Sequence, residues 1–133
     1  MKKIISLLFV AVLTISSMFV LASCGSSKIE KEFSYVKTYI EDRVIDPTSL
    51  IFNYAEGILD IAEERIYYKV NYNGKNSFGG YVGSKDYYYI LDLTNHEVST
   101  YSAERLYEIV ETSYKLDDVD GEKNYYYEKI IFD

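Results

Sequence analysis

The chain opens on an unbroken apolar block. From Ile4 to Leu21 the only polar positions are Ser6, Thr14, Ser16 and Ser17, and the block holds no charge, Pro or Gly. After Cys24 the apolar positions become periodic. Ile29, Phe33, Val36, Ile40 and Val44 recur at helical spacing, with Glu30, Lys31, Lys37, Glu41 and Asp42 between them, which predicts an amphipathic helix over 28–44. Asp46-Pro47 closes it, because the residue before a proline avoids the helical region. Asp46 is placed to cap a short turn through Pro47-Thr48-Ser49.

Alternation then takes over. Leu50 to Ala55 reads as a strand, Gly57 as its break, and Ile58 to Ala62 as a second short apolar piece. Arg65 to Tyr72 is a stronger strand, with Ile66, Tyr68, Val70 and Tyr72 on one face. Asn73 to Gly83 is a Gly- and Asn-rich connection in which Asn73-Gly74 favours a tight hairpin turn. Lys85 to Leu93 is a strand, Thr94 to Glu97 a turn, and Val98 to Tyr101 returns, so these pieces form an antiparallel meander. Ser102 is the expected N-cap of a second helix, with Glu104 in its first turn and Leu106, Ile109, Val110 and Tyr114 as its apolar stripe. Asp120-Gly121 signals a turn, and Lys123 to Phe132 is a last strand. The order predicts an α+β fold: an antiparallel sheet of about four to six strands, an N-terminal helix, and a second helix before the last strand, with the helices on one face.

The apolar block itself reads as a targeting signal. Lys2 and Lys3 precede it as a positive n-region, and it ends in Leu21-Ala22-Ser23-Cys24. That ending resembles the bacterial lipobox. The resemblance implies that a signal peptidase reads Leu21, Ala22 and Ser23, that residues 1–23 leave, and that the Cys24 thiol carries a diacylglyceryl group. An uncleaved membrane-spanning helix and an ordinary buried cysteine are the competing readings. Cys24 is the only cysteine, so no intrachain disulfide forms, and lipidation accounts for the leftover thiol. Two acyl chains hold a protein stably where one does not. The expected organisation is therefore a signal peptide over 1–23, a lipidated Cys and short flexible tether over 24–27, and one small domain over 28–133. The expected location is the extracytoplasmic face of the cell membrane.

Charge and composition narrow the partners. The formal charge is −7, and loss of Lys2 and Lys3 takes the mature chain to −9. An acidic domain is repelled by an anionic leaflet, and nucleic acid demands a basic face, so neither a charge-held membrane contact nor nucleic acid is expected. The 16 tyrosines all lie in the mature part, and there is no Trp. Tyr87-Tyr88-Tyr89 and Tyr125-Tyr126-Tyr127 place rings on both faces of a strand. This reads first as a sheet with one core face and one wet, ring-coated face, and second as an aromatic platform for a sugar or peptide.

Two further stretches resemble motifs of small exported bacterial and phage-associated proteins of no known activity. Ile45-Asp46-Pro47-Thr48-Ser49-Leu50-Ile51-Phe52 is similar to their aliphatic-x-Asp-Pro-x-Ser-x-x-Phe motif. Val70 to Gly83 is similar to their Val-Asn-x-x-Asn-Ser-Phe-Gly-Gly-Tyr-x-Gly motif, with extra residues between Asn71 and Asn76. Those relatives often carry a Cys early in the strand, where Tyr67 or Tyr68 stands here. By its residues alone, Asn76-Ser77-Phe78-Gly79-Gly80-Tyr81 is either a rigid loop with Phe78 and Tyr81 plugging the sheet end, or a ligand loop with Asn76, Ser77 and backbone amides as donors.

Catalytic sets are sparse. His96 is the only histidine and falls in an exposed turn, which leaves no His-based triad or multi-His metal site. Glu63-Glu64 could serve acid–base hydrolysis only as one carboxylate pair among many. Asp117 to Glu122 misses the EF-hand pattern, with Leu116 at the first ligand position and Tyr127 at the last, and reads as an acidic hairpin turn. No catalytic residue, metal or cofactor is expected. The reading is a non-enzymatic binding module with an envelope protein or glycan partner. The alternatives are a small carboxylate-dependent hydrolase of envelope glycans and a structural envelope lipoprotein.

Overall fold

A computed structural model describes residues 24–117 and 123–133. The lipobox residues Leu21, Ala22 and Ser23, the Asp120-Gly121 turn and most of the acidic stretch after Asp117 lie outside the described residues. The fold is the expected α+β type. Helix α1 (Cys24–Glu41) leads through a 3-10 turn (Pro47–Ser49) into β1 (Ile51–Asp60), β2 (Arg65–Asn73), β3 (Lys85–Asp92) and β4 (Val98–Ser99). Helix α2 (Ala103–Leu116) precedes β5 (Tyr125–Ile131). The sheet is antiparallel with order β4-β3-β2-β1-β5, a meander to which β5 adds at the far edge. Among the described residues no helix is long and apolar enough to cross a membrane.

The two helices lie on opposite faces, not on one. Ile29, Phe33, Val36 and Ile40 of α1 pack with Ala55, Leu59, Ile66, Tyr68, Val70, Tyr89 and Leu91. Ala103, Tyr107 and Val110 of α2 pack with Ile58, Tyr67 and Ile90. Strand residues alternate between these clusters, as the pleat requires. Tyrosine on both faces therefore means two cores rather than a core face and a wet face. On α2 the buried stripe runs through Tyr107, while Ile109 is exposed. Ser102 does occupy the N-cap position, but with φ 53° and no side-chain bond to the helix. Asp46 caps the 3-10 turn as expected, accepting from the Thr48 N–H.

Gly57 does not break a strand. β1 runs through it without interruption, because α1 crosses the sheet so closely that a Cβ at Gly57 would collide with Ile29 Cγ2 and press on the Tyr68 ring at 3.0 Å. Glycine here is a close-approach residue. The fully buried Tyr68 ring locks the same spot, its hydroxyl donating to the Ile29 carbonyl at 2.6 Å. The helix starts at Cys24 rather than 28, so the segment expected to be a flexible tether forms its first turn, and it ends at Glu41, before Val44. His96, in a left-handed turn position with φ 57°, stacks on Tyr35 at 4.3 Å and sets Nε2 3.4 Å from Glu32 of α1. It is thus the exposed turn residue expected, and it also ties the β3–β4 turn to α1.

Candidate functional site

The loop between β2 and β3 holds the residues singled out in the sequence. Asn73-Gly74 does not form the tight turn. β2 ends at Asn73, and the chain continues as a narrow extension closed by a bridge between Lys75 and Tyr81. Asn76 organises its tip. Its Oδ1 accepts from the N–H groups of Phe78 at 3.0 Å and Gly80 at 3.1 Å, its N–H donates to the Gly80 carbonyl at 2.8 Å, and its carbonyl accepts from Gly79 at 3.0 Å. An asparagine carbonyl closing its own turn in this way is the ordinary use of the residue in turns. Gly79 at φ 79° and Gly83 at φ 91° take the left-handed conformations that the turn needs.

The base is held as firmly as the tip. Asn73 Oδ1 accepts from Gly83 N–H at 3.1 Å, and the Lys75 N–H donates to Ser49 Oγ at 3.1 Å, tying the loop to the 3-10 turn. The two resemblance motifs thus meet in space. The backbone amides of residues 78–80, which the ligand-loop alternative needed as donors, are consumed inside the loop. Nor do the rings plug the sheet. Phe78 is 95% exposed, Tyr81 and Val82 half exposed, and Ser77 lies open beside them.

A second constellation, on the α2 face, was not visible to sequence reasoning. On that face the register sets two polar rows side by side. Glu56 stands between its cross-strand neighbours Lys69 and Lys129, at 2.9 and 3.4 Å. Tyr54, Asn71 and Asp86 form the next row: Asp86 Oδ1 accepts from Asn71 Nδ2 at 2.7 Å and from the Tyr54 hydroxyl at 2.9 Å. Lys129 also lies 4.5 Å over the Tyr54 ring. The Tyr107 hydroxyl of α2 reaches Glu56 at 3.4 Å, joining helix to cluster. Single charged residues inside strand patterns carried the only signal, and nothing local paired them.

The protonation states follow from these contacts. Burial works to raise the Glu56 carboxyl, but the hydrogen bonds and charges of Lys69 and Lys129 prevail and hold it below its ordinary value. The Asn71 hydrogen bond, against a smaller burial effect and with help from Tyr54 and Lys69, lowers Asp86. Burial opposes charge on Lys69, yet Glu56 outweighs it and raises the amine. Burial and the nearby carboxylates Glu56 and Glu111 raise the Tyr107 hydroxyl. The cluster is a set of fixed charges, each already partnered. Glu128 differs: burial and the charge of Glu30 raise it, and its Oε2 has no hydrogen-bond partner. It points to the α1 face, away from Glu56 and Asp86.

Glu63 and Glu64 are exposed in the β1–β2 turn. A cavity of about 360 Å³ between the end of α2 and the start of β5 is lined by Tyr114, Lys115, Asp117, Lys123 and Tyr125. Among the described residues no group of His, Cys, Asp and Glu is arranged to hold a metal. Cys24 is the first residue of α1. Comparison with protein families, curated proteins and solved structures returns no match.

Proposed function

We propose that the chain is an extracytoplasmic lipoprotein, held in the cell membrane by acyl chains on Cys24, whose domain is a non-enzymatic binding module. The observation that carries this is the lone cysteine after Leu21-Ala22-Ser23, at the end of a charge-free apolar run behind Lys2 and Lys3. Helix α1 supports it: Ile29, five residues beyond Cys24, is already in the core, so the domain begins at its anchor. Three flexible residues would have spanned roughly 10 Å, whereas a helical turn holds the domain closer and in one orientation. The braced Phe78 loop supports binding, because a preorganised apolar side chain loses little freedom when it is covered. An envelope protein or glycan is the partner in this reading.

A carboxylate hydrolase needs one protonated acid facing one ionised base. Glu56 and Asp86, on the α2 face, are both held ionised, and Glu128 faces the other core. The binding reading is therefore the one the geometry favours. The test is metabolic labelling with an alkyne fatty acid, with intact-mass measurement of the purified chain. Labelling that disappears in Cys24→Ala, with a mass lacking residues 1–23, is the expected result. A free thiol on an unprocessed chain would overturn the proposal.

A further inference from the structure

β5 is an edge strand with β1 on its inner side. The β1–β5 pairing is regular from Tyr125 to Ile131, with no bulge. At its two ends the Phe132 N–H donates to the Asn53 carbonyl, and the Asn124 carbonyl accepts from the Ile61 N–H. Even-numbered residues therefore turn their backbone groups to β1, and by alternation Tyr125, Tyr127, Lys129 and Ile131 turn theirs outward. Among the described residues no backbone group pairs with them. Proteins usually guard such an edge by shortening it, by bulging it, or with a proline or a free lysine. β4, the opposite edge, is only two residues long. β5 has seven residues and no Pro. Its one lysine is drawn back over the sheet: Lys129 Nζ lies 3.4 Å from Glu56 and 4.5 Å from the Tyr54 ring, both on β1. Tyr127, Lys129 and Ile131 are exposed. Glu128 and Lys129 cancel, so the strand is neutral in a chain of net charge −7, and its other residues are Tyr and Ile, which favour strands.

We infer that β5 pairs edge to edge with β5 of a second copy of this chain, antiparallel about a two-fold axis at Tyr127, so that two sheets become one. The strand is its own complement, and that selects the occupant. Pairing centred on Tyr127 sets this residue against its own copy, Tyr125 against Lys129, Tyr126 against Glu128, and Asn124 against Ile130. No like charges meet. Centring on Glu128 opposes two carboxylates, centring on Lys129 opposes two ammonium groups, and centring on Tyr126 opposes Lys123 to Lys129. Like charges directly opposite destabilise a strand pair, so the register is fixed. A two-fold contact uses the same patch on both copies and closes on itself, so assembly stops at the dimer. One strand pair is a small interface, which places the dimer among weak, reversible ones. The inference does not rest on the lipid anchor.

A disulfide trap reads both the contact and its register. Opposed residues of a hydrogen-bonded pair have Cα atoms about 5.5 Å apart, within reach of a disulfide. Cys24 is the only cysteine, so the full Cys24→Ser chain, purified in detergent, is a thiol-free background. In it, Tyr127→Cys should join to its own copy under mild oxidation. Tyr125→Cys and Lys129→Cys should each stay single alone and join when mixed. Ile109→Cys, exposed on α2, is the collision control and should stay single. Two further changes weaken the edge. Tyr127→Lys sets two ammonium groups face to face, and Tyr127→Pro removes the outward N–H while leaving the β1 ladder intact. Each should slow the mixed crosslink about tenfold or more in chains that keep a folded circular dichroism spectrum. No crosslink in either the Tyr127→Cys chain or the mixture would overturn the inference, as would equal crosslinking of Ile109→Cys. So would a folded Tyr127→Lys chain whose mixed crosslink forms at the native rate. Tyr127→Cys joined in cells only to other proteins would assign the edge to a foreign strand and overturn self-pairing.

Discussion

Replacing Gly57 by Ala tests the packing of α1 on the sheet at its tightest point. The added methyl meets Ile29 Cγ2 first, then Tyr68 Cε1 at 3.0 Å and Cδ1 at 3.2 Å. Neither neighbour can yield cheaply. Ile29 and Tyr68 are fully buried, the Ile29 methyl hangs from a branched Cβ, and the Tyr68 hydroxyl is tied to the Ile29 carbonyl. Overpacking of this kind costs about 1–3 kcal/mol. Alanine is better than glycine in a strand by about 0.5–1 kcal/mol, which offsets part of it. The expected net loss is about 1–2 kcal/mol, read as a lower urea midpoint and a melting temperature down by about 4–8 °C per kcal/mol. A double-mutant cycle gives the mechanism. Ile29→Ala alone should cost about 2–5 kcal/mol, and in that background Gly57→Ala should cost clearly less than in the native chain, because the methyl's tightest clash is gone and only the Tyr68 contact remains. Equal or greater stability of Gly57→Ala in the native background, or additive losses in the double variant, would refute the close-approach account.

Glu56→Gln removes two charge-assisted contacts and should destabilise by about 1–3 kcal/mol at pH 7. Because the folded carboxyl lies below its unfolded value, the native contribution is present above the ordinary carboxylate range and lost as pH falls through the lowered folded value; urea unfolding from pH 7 to pH 3 should show the variant and native curves converging. Glu128→Gln should do the reverse, since its raised folded value means that charging opposes folding. A gain of a few tenths to about 1 kcal/mol at pH 7, vanishing in acid, is expected from the same titration. Asn76→Ala should free the amides of Phe78 and Gly80, seen as faster hydrogen exchange confined to 76–82 with an unchanged melting temperature.

Much of this protein could be read from local pattern. Helical spacing of Ile29, Phe33, Val36 and Ile40 named the face that α1 buries, because a helix must put one stripe against something. Alternation named the strands, and Asp46 before Pro47 named the capped turn, because those are dictated within a few residues. The apolar run and Cys24 carried the anchoring hypothesis before any fold was considered.

What the tertiary structure decided depends on elements distant in sequence. Gly57 reads as a breaker until α1 is laid over it, and only then does the missing side chain become room for Ile29. Which face each helix covers cannot be read from strands buried on both sides, since Tyr67 and Tyr68 are equally apolar signals for opposite cores. Lys69, Glu56 and Lys129 become one cluster through strand register, which joins residues far apart in the chain. The direction of Phe78 was likewise settled by Asn76 and Ser49, whose hydrogen bonds hold the loop outward where hydrophobicity alone would have turned the ring in.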